Sequence, residues 1–217
     1  MVDMKKLKES LHIVLDADGV MVDFNTAYLN MWEKVFGYRP RTKYEGAYWC
    51  TDAYDIPWLS GEELFEFKKH WNEDFWMNIP ALPGAVEAVK MIQSNFPGVA
   101  ISCVSALPVQ YRLAREIGLE KQGFPFMPVH AVGAPVDATK HHGNPKKDII
   151  NKLMPDYFVD DFLPYLEGVN PLVNRILVDR DPFMSPNRDQ DLQEKISITA
   201  RVDNLVDFAE KLVNGKL

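Results

Sequence analysis

The stretch Leu11-His12-Ile13-Val14-Leu15-Asp16-Ala17-Asp18-Gly19-Val20 decides the fold. Its first half is a short apolar run, which predicts a buried strand. Asp16 and Asp18 follow this run, and alternate side chains of a strand share a face, so both can point at one reactant. Paired carboxylates at the mouth of a buried strand are costly unless they hold a cation or move a proton. Gly19 lets the backbone turn away behind them. The stretch therefore predicts an enzyme active site.

Further apolar runs of strand length recur along the chain and alternate with helical patterns. They are 99–104 (ending at Ser105), 126–132, 157–159, 175–178 and 196–199. Near-continuous apolar strands that alternate with helices indicate a parallel sheet covered on both faces. We therefore expect an α/β fold with a Rossmann-like parallel sheet and helices on both sides.

Four helices of this sheet can be predicted from apolar spacing and end signals. The segment 84–93 has its apolar residues at helical spacing. The segment 109–117 is expected to stop at Gly118, and 148–154 stops before a proline. Asp203 is predicted to cap the final helix.

The segment 23–78 interrupts the alternation of strands and helices. It contains all five tryptophans and most of the tyrosines. We interpret it as a small, mostly helical cap inserted after the first strand, with the α/β core formed by 1–22 and 79–217. Most of its rings are expected to fill its own core. Phe24, at the end of the stretch DADGVMVDF, is the ring that we assign to the substrate.

Composition narrows the function classes. The chain has 217 residues and a net charge of −7, which disfavours a nucleic-acid polymer as partner and suits a bound divalent cation. Cys50 and Cys103 are too few for a disulfide framework, so we expect reduced thiols and a cytoplasmic location. No apolar stretch approaches the roughly 18 residues of a membrane span, so no membrane association is expected.

Several predicted strands end in polar residues, and the carboxyl ends of parallel strands gather ligands. A lysine pair also opens the helix before the fourth strand. The residues concerned are Asp16, Asp18, Ser105, Lys146, Lys147, Asp160 and Asp161. Carboxylates suit a hard cation, and a hydroxyl, an ammonium group and backbone N–H groups suit phosphoryl oxygens. The set predicts phosphoryl-transfer chemistry.

In content and order these residues resemble the four motifs of the haloacid dehalogenase-like (HAD) hydrolases. DADGV (Asp16–Val20) resembles motif I, Ser105 motif II, Lys146 or Lys147 motif III, and FVDD (Phe158–Asp161) motif IV. The insert after motif I resembles a type C1 cap. DADGVMVDF, LPGA, the double Asp and ITARVDNLVDF are most similar to the deoxyribonucleotidase-like branch, from which the stretch between Gly133 and Pro145 departs.

The resemblance implies a Mg²⁺-dependent phosphomonoesterase acting on a nucleoside monophosphate or another small phosphate ester. Asp16 would attack phosphorus and form an aspartyl-phosphate, and Asp18 would act as general acid and base. Asp16, the Asp18 carbonyl, Asp160 and Asp161 would hold Mg²⁺. Ser105, the N–H of Ala106 and Gly19 would contact the phosphoryl group.

Either lysine could complete the set. We prefer Lys147, because Ile149 and Ile150 follow it on the helix, and assign Lys146 as its solvated neighbour that still reaches substrate.

Other roles remain open for several of these residues. Ser105 could cap the helix near Pro108, and Asp160-Asp161 could cap the helix that follows them. Asp179-Arg180-Asp181 fits a surface ion-pair cluster better than a role beside the metal or substrate. His141-His142 fits a solvated loop, and Arg112 is expected to face outward.

Three other functions compete with a phosphatase. A non-catalytic phospho-ligand or protein-binding module could use the same fold, although the complete acid and lysine set does not favour it. A phosphotransferase could pass the aspartyl-phosphate to another acceptor. A receiver-like signalling domain also uses acids, a hydroxyl and a lysine, but there the lysine comes last and the aromatic insert has no counterpart.

Overall fold

The computed structural model describes residues 11–45, 47–133, 143–180 and 185–217. Across these ranges a six-stranded parallel sheet has the order β3-β2-β1-β4-β5-β6. Its strands are β1 His12–Leu15, β2 Ala100–Ser105, β3 Val129–Ala131, β4 Tyr157–Asp160, β5 Asn174–Val178 and β6 Ala200–Val202. This confirms the α/β, Rossmann-like prediction and puts β1 in the middle of the sheet.

The helices of the described ranges are numbered along the sequence, as the strands are. They are α1 Phe24–Phe36, α2 Cys50–Ala53, α3 Gly61–Lys68, α4 Glu73–Met77, α5 Ala85–Asn95, α6 Arg112–Lys121, α7 Lys147–Leu153, α8 Gln190–Lys195 and α9 Leu205–Val213. Short 3₁₀ turns lie at Val109–Tyr111, Leu163–Leu166 and Pro186–Arg188.

Three local expectations were wrong. Helix α6 continues through Gly118 to Lys121, because Gly118 serves close packing: a Cβ there would lie 2.7 Å from the backbone oxygen of Met77. The last strand begins at Ala200 rather than within 196–199, since Ile196 closes α8. Asn204, not Asp203, caps α9 through its side chain.

Both faces of the sheet are covered by helices. Ile13 and Leu15 point into the larger core cluster, which includes α5, α6 and α9. Val14 and Phe158 point to the other face, where Ile150 of α7 packs. Because side chains alternate along a strand, Asp16 is expected on the Val14 face, below the start of α7.

The helices between β1 and α5 have an aromatic cluster of their own, built on Met31, Trp32 and Phe67. The segment that leaves the sheet before these helices and the segment that returns after them lie side by side. Val22 and Ala81 form an antiparallel bridge, with hydrogen bonds of 2.8 Å from Asp23 N–H to the Pro80 carbonyl and 2.9 Å from Leu82 N–H to the Met21 carbonyl. The division into core and cap stays a prediction.

None of the helices in the described ranges is long and apolar enough to cross a membrane.

Candidate active site

The predicted acids and hydroxyl lie at the carboxyl edge of the three central strands. Asp16 follows β1, Ser105 ends β2 and Asp160 ends β4. Leu15 pairs with Val159, so the next residues along, Asp16 and Asp160, are level on neighbouring strands. The N–H of Asp16 donates to the Val159 carbonyl at 2.9 Å. The parallel register therefore brings the two carboxylates together.

Lys146 joins these carboxylates. Its Nζ lies 2.6 Å from Asp16 Oδ1 and 2.6 Å from Asp160 Oδ2, and its side chain is fully buried. Burial raises the pKa of Asp16 well above its ordinary value, against the opposing effect of Lys146. Burial acts to lower the pKa of Lys146, but Asp16 and Asp160 outweigh it and raise that pKa. Burial disfavours each of these charges alone, and the ion pairs that Lys146 forms with both carboxylates offset that cost.

The preference for Lys147 is corrected by this geometry. Lys147 is exposed, whereas Lys146 precedes α7 and lies on the same face as the buried Ile150, four residues on. Residues three and four apart share a helix face, so Lys146, not Lys147, is in register with Ile149 and Ile150. Asn144 fixes the approach, because its Oδ1 accepts from Lys146 N–H at 2.9 Å.

Asp161 lies on the other side of Asp160 and has three close neighbours. Arg180 Nη2 donates to its Oδ2 at 2.5 Å, and the Tyr48 hydroxyl donates to Oδ1 at 3.3 Å. A Cβ on Gly19 would lie 1.9 Å from Asp161 Oδ2, so only glycine permits this approach. Gly19 also has a φ of 86°, which glycine adopts without strain. Burial raises the pKa of Asp161 to about 6, although Arg180 opposes the shift.

Asp18 is the most exposed of these acids, with 30% of its side chain accessible. Arg115 Nη2 donates to its Oδ1 at 2.8 Å and to its Oδ2 at 3.0 Å. The guanidinium carbon of Arg115 also lies 5.4 Å from the ring centre of Trp76. Asp18 is thus held from its buried side and open on the other.

The remaining predicted residues are placed as follows. Ser105 is 1% exposed, and its Oγ has no hydrogen-bond partner among the described residues. The turn that begins after Pro108 has no side-chain cap, so the capping alternative for Ser105 is wrong. Ala106 follows it and is partly buried. Phe24 is also partly buried and packs against Phe75 and Trp76, with ring centres 5.8 and 5.9 Å apart.

The Asp160-Asp161 pair does not cap a following helix by side-chain bonds to its first turn. Asp160 Oδ1 instead accepts from the N–H of Phe162 at 2.9 Å, while its other oxygen contacts Lys146. Asp160 is therefore oriented by contacts at the carboxyl edge of the sheet and not by capping a helix.

Sequence reasoning missed Arg115 and Tyr48, whose side chains contact the acids, and assigned Arg180 only in part. Arg180 was grouped with Asp179 and Asp181 as a surface cluster; Asp179 does pair with Arg201, whereas Arg180 contacts Asp161. Arg115 had a readable signal, because Gly118 and Leu119 lie three and four residues after it and are buried. Arg112 faces outward and pairs with Glu116, as expected. Asp181, His141 and His142 lie outside the described residues.

The donor set fits a hard divalent cation. One carboxylate oxygen each from Asp16, Asp160 and Asp161 lies within 4.8 Å of the others, and all three residues are buried. Oxygen-only ligands of this kind suit Mg²⁺.

Comparisons with known proteins agree with the fold. No family model matches the sequence. A curated relative, the mitochondrial 5'(3')-deoxyribonucleotidase of Mus musculus, is 31% identical over 87 residues. That match spans 38% of this chain and 38% of the relative.

Solved structures match over nearly the whole chain. A haloacid dehalogenase-like hydrolase from Streptococcus pneumoniae has a TM-score of 0.58 at 12% identity and covers 94% of this chain and 99% of its own. A defluorinating L-2-haloacid dehalogenase has a TM-score of 0.57 at 11% identity, covering 94% and 95%. A HAD family hydrolase from Deinococcus radiodurans R1, with bound phosphate and sodium, has a TM-score of 0.56 at 13% identity, covering 95% and 97%. The chain therefore has the fold of the haloacid dehalogenase-like hydrolases.

Proposed function

We propose that this protein is a Mg²⁺-dependent phosphomonoesterase that works through an aspartyl-phosphate on Asp16. One observation carries the proposal: buried Lys146 bridges Asp16 and Asp160, inside a group of three carboxylates close enough to share a cation. A buried cluster of this charge is costly to keep without a ligand or a reaction.

In the first half-reaction, an Asp16 carboxylate oxygen forms a bond to phosphorus as the ester P–O bond breaks. Asp18, open to the solvent side, gives its proton to the departing alkoxide oxygen. Lys146 compensates the charge that accumulates on Asp16 and the phosphoryl group.

In the second half-reaction, Asp18 takes a proton from water as the water oxygen bonds to phosphorus. The bond between phosphorus and the Asp16 oxygen breaks, which releases inorganic phosphate and restores the Asp16 carboxylate and the protonated Asp18. The unpartnered Ser105 Oγ is free to donate to a phosphoryl oxygen, and the Ala106 and Gly19 backbone is assigned to the same group.

Asp16, Asp160, Asp161 and the Asp18 carbonyl would hold the Mg²⁺. When bound, the cation reduces repulsion between the Asp16 carboxylate and the phosphate dianion and orients both.

Dehalogenation, the activity in the names of some structural neighbours, requires fewer acidic groups than this site contains. A halide leaves as a stable anion without a proton, so neither an acid at Asp18 nor a group of three carboxylates would serve that reaction. The second carboxylate and the cluster therefore favour phosphate ester hydrolysis.

For the substrate we propose a nucleoside monophosphate or a similar small phosphate ester. The name of the curated relative supports a nucleotide. We further assign 23–78 as a type C1 cap, whose Tyr48 reaches Asp161 and whose Phe24 packs against Trp76, the ring that contacts Arg115. The buried free thiols Cys50 and Cys103 favour a cytoplasmic location.

The test is hydrolysis of p-nitrophenyl phosphate and of a panel of nucleoside monophosphates with Mg²⁺. We expect turnover that EDTA and Asp16→Asn both abolish, while Asp203→Asn, an exposed carboxylate after β6, leaves it intact. Acid-quenched protein should carry phosphate that hydroxylamine removes. Turnover that survives EDTA or Asp16→Asn would contradict the proposal, and tight phosphate binding with no turnover would indicate a binding module.

A further inference from the structure

Arg115 is a charged side chain buried in the protein interior with only part of its hydrogen-bonding capacity used. It comes from the middle of α6, is 1% exposed, and contacts Asp18 from the core side through Nη2 alone. Its Nε and Nη1 are buried without hydrogen-bond partners among the described residues. Leaving two donors of a charged group unsatisfied in a protein interior costs stability. An apolar side chain of similar size would avoid that cost, so fold stability does not explain the arginine.

The contact with Asp18 has a particular geometry. One nitrogen lies 2.8 Å from Oδ1 and 3.0 Å from Oδ2, so both oxygens share one donor and the carboxylate end of Asp18 is anchored at that point. Each carboxylate oxygen has two lone-pair sites, so one site on each stays available. With 30% of the Asp18 side chain exposed, the carboxylate is still accessible from solvent.

The guanidinium is itself held by two packed helices. Trp76 of α4 lies against it at 5.4 Å from ring centre to guanidinium carbon, and Trp76 is 6% exposed. Helix α4 approaches α6 so closely that a Cβ on Gly118 would lie 2.7 Å from the Met77 carbonyl oxygen. The position of Arg115 is thus fixed by backbone packing and not by a flexible surface contact.

We propose that Arg115 is a positioning residue that holds Asp18 in the orientation needed to protonate the leaving-group oxygen. The inference rests on the proposed phosphatase function. Arg115 acts only through Asp18 and is not assigned a contact with the phosphoryl group. It sets the direction in which the Asp18 proton is delivered.

The inference predicts a selective loss. An alkyl phosphate needs its leaving oxygen protonated, whereas p-nitrophenolate leaves well without a proton. Misplacing the general acid should therefore lower kcat/KM for alkyl phosphates by about 10²-fold while p-nitrophenyl phosphate changes little. Since kcat/KM reports only the steps through formation of the aspartyl-phosphate, the later hydrolysis does not mask the effect.

The experiment measures kcat/KM of wild type, Arg115→Met and Arg115→Lys over a series of phosphate esters of rising leaving-group pKa. Arg112→Met is the matched control, because Arg112 lies three residues earlier on α6, is exposed and pairs with Glu116. Thermal unfolding of each variant reports its folding. We expect a steeper dependence on leaving group for Arg115→Met, an intermediate one for Arg115→Lys, and an unchanged one for the control.

A loss of equal size for all esters in Arg115→Met overturns the inference and leaves a purely structural role. If Arg115→Met fails to fold, an even loss in Arg115→Lys has the same meaning. The two proposals fail differently: absence of turnover by the wild type on any ester overturns both, whereas turnover with an unchanged leaving-group dependence overturns only the role of Arg115.

Discussion

Replacing Lys146 by methionine removes an ammonium group that lies 2.6 Å from Asp16 and 2.6 Å from Asp160. Methionine keeps most of the side-chain length and adds no charge. The matched variant is Lys147→Met, one residue along, which changes an exposed lysine of the same sequence pair.

The expected stability loss follows from burial. Lys146 and Asp160 are both inaccessible to solvent, and Asp16 is 5% exposed. Removing one partner of a buried ion pair costs about 3–5 kcal/mol, since it leaves an uncompensated buried charge. That is a large fraction of the roughly 5–15 kcal/mol that holds a domain folded. A surface change such as Lys147→Met usually stays within about 0.5 kcal/mol.

The assay is urea unfolding of both variants and wild type, in EDTA and in excess Mg²⁺, followed by phosphatase activity. In EDTA we expect the midpoint to fall strongly for Lys146→Met alone. Mg²⁺ should recover part of the loss, because a cation bound to the folded state compensates the same carboxylates. Activity of Lys146→Met should fall by about 10²–10³-fold, as for loss of a donor that stabilises developing charge.

A Lys147→Met variant that loses as much activity as Lys146→Met would refute the assignment of the site lysine. A Lys146→Met variant whose midpoint in EDTA equals that of wild type would refute the estimate of the buried charge cost.

Three further predictions concern the site and the thiols. Gly19→Ala should destabilise and inactivate the protein, since its Cβ would lie 1.9 Å from Asp161 Oδ2. The control is Gly37→Ala, at a position that shares the positive φ but has nothing within 4 Å, so this variant should cost only the backbone strain of about 1–3 kcal/mol. Similar unfolding midpoints and activities for the two variants would contradict this prediction. Burial raises the pKa of Asp161 from 3.8 to about 6 in the metal-free fold, so the folded state binds the Asp161 proton more tightly than the unfolded state does. The resulting contribution to the free energy of unfolding is full below about pH 4 and is lost as the pH rises through 6. The stability of wild type relative to Asp161→Asn, measured by urea unfolding in EDTA, should therefore decline over that range; an increase would reverse the sign. Burial raises the pKa of Cys50 and of Cys103 to about 12, so neither thiol should react with a disulfide reagent at pH 8 until urea unfolds the chain, and rapid labelling of the native protein would disprove it.

The sheet and its acidic edge could be predicted because both depend on short-range patterns. Apolar runs of strand length recur along the chain, and parallel strands necessarily bring their carboxyl ends to one edge. Asp16, Ser105 and Asp160 were located in this way. The choice between Lys146 and Lys147 failed by one residue, because the buried face of α7 is shared by Lys146 and Ile150 rather than by Lys147.

The partners of the acids could not be predicted from local patterns. Arg115 is 97 residues from Asp18 in sequence, and Tyr48 is 113 residues from Asp161. No periodicity encodes such pairs, since they depend on how the helices pack. Interpreting Gly118 as a helix end also hid the face of α6 that Arg115 shares with Leu119.

The bridge between Val22 and Ala81 has a consequence for how such a chain can diversify. It holds the departing and returning backbone at a fixed spacing, whatever polypeptide runs between them. If the segment between them is lengthened or exchanged, the entropic cost of closing the loop rises only as the logarithm of its length, and the strand register does not change. Under the proposed function, substrate selectivity can therefore change by exchange of the segment between Val22 and Ala81, while the residues at the sheet edge keep their positions.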